Sequence, residues 1–364
     1  MTFVWILAAL LLLCVLIFVH ECGHFLLAKA LGCAIDEFAV GFGPKLYSRL
    51  GKDGVRYSIR ALPLGGFCRF FSGEQEGQEK TDKIPFQQQA AWRRLLVLLA
   101  GPAFNIAFAL LLAVLLVGNF GIRRPEVLEV LPGGAAEQNG LMVGDTIQNV
   151  DGKEARWNTV AHLIAQAPAE GFVLQIRRAG QKQSLRIQNA YDMQAEKNKL
   201  GITFGARQEK LDWQRILPEG AALTAEASTE ILRAIGNIIA RPAEMSQQMM
   251  GPIGTVGSMG EVLNQGFSGP EGAEAGGVNV AGGLETLLQL SILLSVNLGV
   301  FNLIPVPGLD GGQMVFTLIE MMVRRPIPQH IQSMINLMGI ALLLLLSVYL
   351  SIGDIGSLLA GGRP

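Results

Sequence analysis

The chain has 364 residues, of which 50% are hydrophobic and 16% charged, with a formal net charge of −1 and a mean hydropathy of +0.37. Its apolar residues are clumped into long runs, which excludes an ordinary soluble globule. The net charge is uninformative about nucleic acid, but no basic patch interleaved with aromatics is present, so no nucleic-acid partner is expected.

Four runs are long enough to cross a bilayer, which takes about 20 residues: 3–31, 95–117, 284–305 and 331–352. Between the second and third lies a polar stretch of domain size. The expectation is a polytopic α-helical membrane protein with four transmembrane helices and a water-exposed domain. The divisions are 1–123, 124–206, 207–283 and 284–364. The first run lacks a basic leader and an A-x-A-like cleavage site and continues through His20 and Glu21, so it is read as a retained span. All four cysteines (Cys14, Cys22, Cys33, Cys68) fall in this run or the loop after it, so the polar domain has no disulfide framework.

Within the first span, "VHECGHF" places His20, Glu21 and His24 in a hydrocarbon-like setting. On a helix, His20 and His24 are four residues apart and share one face, about 6 Å apart along the axis. Both imidazoles can reach one Zn²⁺, and Glu21 beside them can take a proton from water. Metal bonds in a cavity would offset the cost of polar groups in lipid. Cys22 points away from His20 on the helical wheel and is not counted as a ligand.

After the span come "GFGPKL" (41–46) and "GVRYSIRALPLGGFCRF" (54–70). Val55, Tyr57 and Ile59 alternate with Arg56, Ser58 and Arg60, a strand pattern that Pro63, Gly65 and Gly66 should break into a short β-ribbon. Residues 73–83 read as a solvated acidic loop. The short loop after span one carries Lys29, Lys45, Arg49, Lys52, Arg56, Arg60 and Arg69, and Arg324 and Arg325 sit between the last two spans. The positive-inside rule therefore places these loops in the cytoplasm and both termini and the polar domain outside.

From about Arg124 the polar domain alternates strand-like runs with Gly/Asp/Asn turns, predicting an α+β module of roughly 80 residues. It has a short helix at 159–167 and strands at 172–178 and 184–187. Residues 222–248 have helical apolar spacing at Ile231, Leu232, Ile235, Ile238 and Ile239, with a kink or end at Pro242. This helix lies either on the outer membrane surface or against the domain. Residues 251–283 are Gly-rich and read as a mobile connector.

A hydrolytic zinc site needs a third protein ligand and an open position. His162 and His330 lie in the outer domain and in a loop. Asp310, at the end of span three in "SVNLGVFNLIPVPGLDGG" (295–312), is the better candidate. Pro305, Pro307, Gly308, Gly311 and Gly312 break the helix there, and irregular backbone at membrane depth is tolerated only beside protein or a wet cavity. His20 lies roughly 25 Å down span one at 1.5 Å per residue, and Asp310 also falls towards the inner side.

His20-Glu-x-x-His24, followed by Asn302-x-x-Pro-x-Pro-x-Leu-Asp310-Gly, resembles the site-2 protease family of intramembrane zinc metalloproteases. "GFGPKL", "ALPLGGF", "AGPAFNIAFA" (100–109) and "GPIG" (251–254) are similar to its bacterial regulator-of-sigma-E branch. The resemblance implies that His20, His24 and Asp310 bind zinc, that Glu21 is the general base, and that Asn297 and Asn302 contact substrate backbone. It also implies that the β-ribbon is membrane-associated and offers an edge to an extended substrate, and that the outer module is PDZ-like, with room for one such domain. The implied function is zinc-dependent cleavage of single-span membrane proteins in the bacterial inner membrane, of anti-sigma-factor or remnant-signal-peptide type, with membrane lipid as the other partner. Two rivals are a non-catalytic scaffold, which would not need Glu21, and a metal transporter, which would usually show two repeated halves.

Overall fold

A computed structural model describes residues 2–71, 84–157, 159–188, 190–192, 197–240, 251–275 and 279–359. It divides into two compact units, one of Met1–Leu115 with Glu219–Pro364 and one of Leu116–Pro218. Among the described residues, four helical stretches are long and apolar enough to cross a membrane: Ile6–Ala30, Ala91–Phe120, Val280–Leu303 and Gln329–Gly356. They coincide with the four expected spans to within a few residues.

The chain opens with helix α1 (Thr2–Ala30), followed by strands β1 (Ile35–Leu50) and β2 (Arg56–Phe70), which pair antiparallel. The strand expected in 54–70 is present, but Pro63, Gly65 and Gly66 do not end it. β2 runs through them. Residues 37–40 consequently have two neighbours, 66–69 on one side and 56–59 on the other. The ribbon is pinned by the fully buried Glu37, which accepts from Ser58 Oγ (2.5 Å), Arg60 Nη2 (2.9 Å) and Arg69 Nη2 (2.8 Å). The sequence pattern missed β1, whose "GFGPKL" segment shows no alternation. The expected loop at 73–83 lies outside the described residues. Helix α2 (Ala91–Phe120) follows.

The second unit is built on a sheet whose main path runs β10-β3-β4-β6-β7. Its elements are β3 (Ile122–Val130), α3 (Ala135–Gln138), β4 (Thr146–Val150), β5 (Lys153–Glu154), α4 (Val160–Ala165), β6 (Phe172–Arg178), β7 (Gln181–Ile187), the small pair β8 (Tyr191–Asp192) and β9 (Lys197–Asn198), and β10 (Ile202–Glu209). Val127, Ile147, Val150, Leu174 and Ile176 enter one core with Ala136, Val160 and Ile164, the register shift between Ile147 and Asn149 bringing Val150 to the same face as Ile147. The short helix and the strand at 172–178 match expectation. β10 was not expected, yet it pairs along the whole of β3 and forms one end of the sheet's main path.

Helix α5 (Trp213–Ala240) starts nine residues earlier than its apolar spacing suggested. Pro242 lies outside the described residues. Residues 251–283 correct the expectation of a mobile connector: α6 (Pro252–Ala275) is a helix. Glycine's poor helix propensity is outweighed by burial, because Met259 and Leu263 pack with Ala9, Leu287 and Leu290. Its glycines allow close approach, since a Cβ at Gly266 would collide with the Thr286 side chain. Its first turn is capped from elsewhere, by Asp354 accepting from the backbone N–H of Gly251 (3.1 Å) and Gly254 (2.8 Å).

Helix α7 (Val280–Leu303) ends in a break at 304–309, where Gly308 adopts φ +94°, a conformation costly for any residue with a Cβ. Helix α8 (Asp310–Val323) and helix α9 (Gln329–Leu359) complete the chain. A buried Arg94–Glu320 ion pair ties α2 to α8, and Glu320 Oε1 also accepts from Ile327 N–H (3.0 Å) and Gln332 Nε2 (2.9 Å) at the start of α9.

Candidate metal centre

Four residues apart on α1, His20 and His24 turn to the same side and are both buried. The α7–α8 break returns the chain so that α8 begins at Asp310, whose carboxylate meets them. His20 Nε2 lies 2.9 Å and His24 Nε2 3.2 Å from Asp310 Oδ2, and the two Nε2 atoms are 3.1 Å apart. Among the described residues these three form the only such cluster of metal-ligating side chains. Ligands about 2.0–2.1 Å from a tetrahedral zinc lie about 3.3 Å apart, so this triangle needs only slight opening. Two imidazoles and one carboxylate also match the donor set of hydrolytic zinc sites, which leave a fourth position open. His162 and His330, the other two histidines, are not in the cluster.

The second nitrogen of each ring fixes which atom faces the cluster. His24 Nδ1 donates to the Val97 carbonyl of α2 at 2.8 Å, leaving Nε2 as the ligand atom. His20 Nδ1 lies 3.2 Å from the Asn105 side-chain amide nitrogen, while Asn105 Oδ1 is buried with no partner. Turning the amide over lets His20 Nδ1–H donate to Oδ1 and leaves Nε2 free to face the cluster. Asn105 is fully buried and anchored by Ser295 Oγ, which donates to its backbone carbonyl at 2.7 Å.

Space for the imidazoles comes from glycine. A Cβ at Gly101 would overlap His24 Nε2 and lie 2.8 Å from His20 Cε1, and one at Gly23 would meet the Ala100 carbonyl. The "AGPAFN" stretch of α2 is thus the floor of the site. Gly101 and Asn105 were not singled out from sequence; the available signal was a lone asparagine inside an apolar span.

Glu21 follows His20 and reaches the ribbon, where its Oε2 accepts from the Cys68 backbone N–H at 3.0 Å. That N–H points away from β1, so this part of β2 presents a strand edge to the carboxylate. Asn297 and Asn302 lie on α7, partly exposed and outside the cluster. Five residues separate them, about 140° around the helix. Asn302 Nδ2 donates to the Leu298 carbonyl of its own helix at 2.9 Å.

The model of peptidase family M50 matches residues 8–346. Similar relatives include a candidate zinc metalloprotease of Campylobacter jejuni, 29% identical over 97% of this chain and 94% of that protein. A candidate zinc metalloprotease of Clostridium perfringens is 30% identical over 96% and 98%. The zinc metalloprotease RasP of Geobacillus kaustophilus is 26% identical over 93% and 95%.

Proposed function

The chain belongs to peptidase family M50 and is a multi-pass zinc metalloprotease, and we propose that it cuts single-span membrane proteins within or beside the bilayer. The observation that carries this reading is the His20–His24–Asp310 triangle, formed by an apolar span and the helix that follows another, with Glu21 held beside it. In this reading the three residues are the zinc ligands and Glu21 is the general base. When bound, zinc supplies Lewis-acid polarisation of the scissile carbonyl and acidifies water.

The protein's own groups do the rest. Glu21 takes the proton of the attacking water and returns it to the departing amine, and the Cys68 N–H keeps that carboxylate aimed at the cluster. An unwound substrate adds as a strand along the β2 edge, because a helical amide cannot reach the ligands. Asn297 and Asn302 grip its backbone; with Nδ2 of Asn302 committed to Leu298, its Oδ1 is the group that accepts a peptide N–H.

The unit Leu116–Pro218 acts as a PDZ-like module on the extracytoplasmic side, with both termini, and screens substrates for prior trimming. The short Lys/Arg-rich loops support that orientation, in a bacterial inner membrane. Substrates are of the anti-sigma-factor or remnant-signal-peptide type. Co-expression with candidate single-span proteins tests this: the parent should release shortened products and Glu21→Gln should accumulate the uncut ones. Equal processing by both would refute it.

A further inference from the structure

Of the three residues in the triangle, Asp310 is the one its own helix fixes least. The two histidines sit one turn apart on the continuous α1, whereas Asp310 is the first residue of α8 and follows the break at 304–309. Pro305 and Pro307 have no backbone donor to offer there, and Gly308 holds φ +94°. A helix that starts after such a break can tilt or slide on its neighbours unless its far end is held as well.

A buried charge pair holds that far end. Glu320 lies ten residues after Asp310, about 15 Å along α8, and its Oε2 accepts from Arg94 Nη2 of α2. Glu320 Oε1 accepts from Ile327 N–H at 3.0 Å and from Gln332 Nε2 at 2.9 Å, which joins the start of α9 to the same carboxylate. α9 then returns to the break, where Asn336 Oδ1 accepts from Gly308 N–H at 3.3 Å.

Arg94 belongs to the helix that holds the histidines. Gly101, which makes room for both imidazoles, and Asn105, which partners His20 Nδ1, follow Arg94 by seven and eleven residues. At about 100° per residue the three fall within about 40° on one face of α2. Met314 of α8 also shares an apolar cluster with Val97 and Leu98 of α2. Apolar contact is non-directional and leaves the register of two helices free, whereas a charge-assisted hydrogen bond fixes it. Among the described residues Arg94 Nε is buried with no hydrogen-bond partner, an uncompensated cost that argues against a role in stability alone. Setting register is the best-attested use of such buried polar groups.

We infer, on the reading that the triangle holds zinc, that Arg94 and Glu320 are positioning residues for Asp310: they set α8 on α2 at the register that brings its carboxylate to the two imidazoles.

The full-length protein, purified in detergent and stripped of metal, tests this when titrated with zinc and with cobalt(II), whose visible absorption depends on ligand geometry. Arg94→Met combined with Glu320→Met replaces the pair by apolar side chains, a change that often leaves stability unaltered. Thermal unfolding without metal should match the parent, zinc affinity should fall about tenfold, and the cobalt bands should change. Glu320→Gln keeps the shape and the acceptor for Ile327 N–H, and covers a failure of the double variant to fold. It weakens the pair and should lower zinc affinity by less, with the cobalt bands changed in the same sense. Parent-like affinity and cobalt bands in the variants would overturn the positioning role. Weaker binding with unchanged bands and an equal loss of metal-free stability would overturn it too, leaving the pair a structural one. A parent that binds neither metal would overturn the zinc reading itself, and the positioning role with it.

Discussion

At Gly101 a side chain and two imidazoles would compete for one space, because a Cβ there overlaps His24 Nε2 and crowds His20 Cε1. Gly101→Ala should therefore lower zinc affinity at least about tenfold and abolish cleavage, since ligand misplacement of this size is not absorbed by a packed site. Gly118→Ala on the same helix is the control. Its Cβ would meet Ile216 at an ordinary 3.7 Å, so zinc and activity should be unchanged. Asn105→Leu removes the polar partner of His20 Nδ1 and should cost about 10–100-fold in zinc affinity. Metal titration of each purified variant reads both effects. Asn302→Ala differs, because its amide nitrogen bonds a carbonyl of its own helix and not a metal ligand. Zinc and fold should survive while cleavage falls; normal cleavage would make Asn302 a packing residue.

At the scale of elements, the ribbon is what orients Glu21, and Glu37 is what holds the ribbon. Glu37→Gln keeps the shape but removes the charge that Arg60, Arg69 and Lys45 surround. Arg69 and Lys45 are nearly half exposed, so water takes over much of that solvation and the loss should be about 1–3 kcal/mol rather than that of a sealed pair. Turnover should drop about tenfold at unchanged zinc content, because the Cys68 N–H no longer fixes the carboxylate. Loss of zinc instead would mean that the ribbon supports the metal ligands directly. The elements also differ in how legible they were. H-E-x-x-H was plain because two ionisable residues in an oily run demand a reason. Asp310 was found because prolines and glycines mark the break before α8. β1 and α6 were missed because their local signals are weak: β1 bends through Gly41, Gly43 and Pro44, and α6 owes its helix to partners distant in sequence. The role of Asn105 needs α2 against α1, and no spacing rule contains that.

Across the whole molecule, the two units answer to different physics. The four apolar helical stretches could be read from length and composition, whereas the unit Leu116–Pro218 depends on a sheet whose end strand, β10, lies far along the chain from its partner β3. A deletion of the β-sheet unit must therefore extend to Glu209 to avoid orphaning that strand. The unit Leu116–Pro218 should also be sensitive to acid. Burial raises the Glu209 carboxyl, but the hydrogen bonds and charges of Arg177 and Arg124 outweigh it and leave its pKa below the ordinary 4.5. A carboxylate lowered on folding stabilises the native state above that ordinary value and loses its contribution as pH falls through the folded pKa. The stability gap between parent and Glu209→Gln should be full near pH 7 and close as pH falls below the ordinary 4.5 and through the lowered folded pKa, read by thermal unfolding. A gap that widens with acid would reverse the sign.

The central claim is that His20, His24 and Asp310 hold zinc for a reaction in which Glu21 moves the proton. Zinc content per purified chain, determined alongside cleavage of a single-span reporter, tests it most directly. The parent should carry about one zinc and cut, Glu21→Gln should carry about one and not cut, and Asp310→Ala should lose both. An Asp310→Ala protein that retains full zinc and full cleavage would contradict the account.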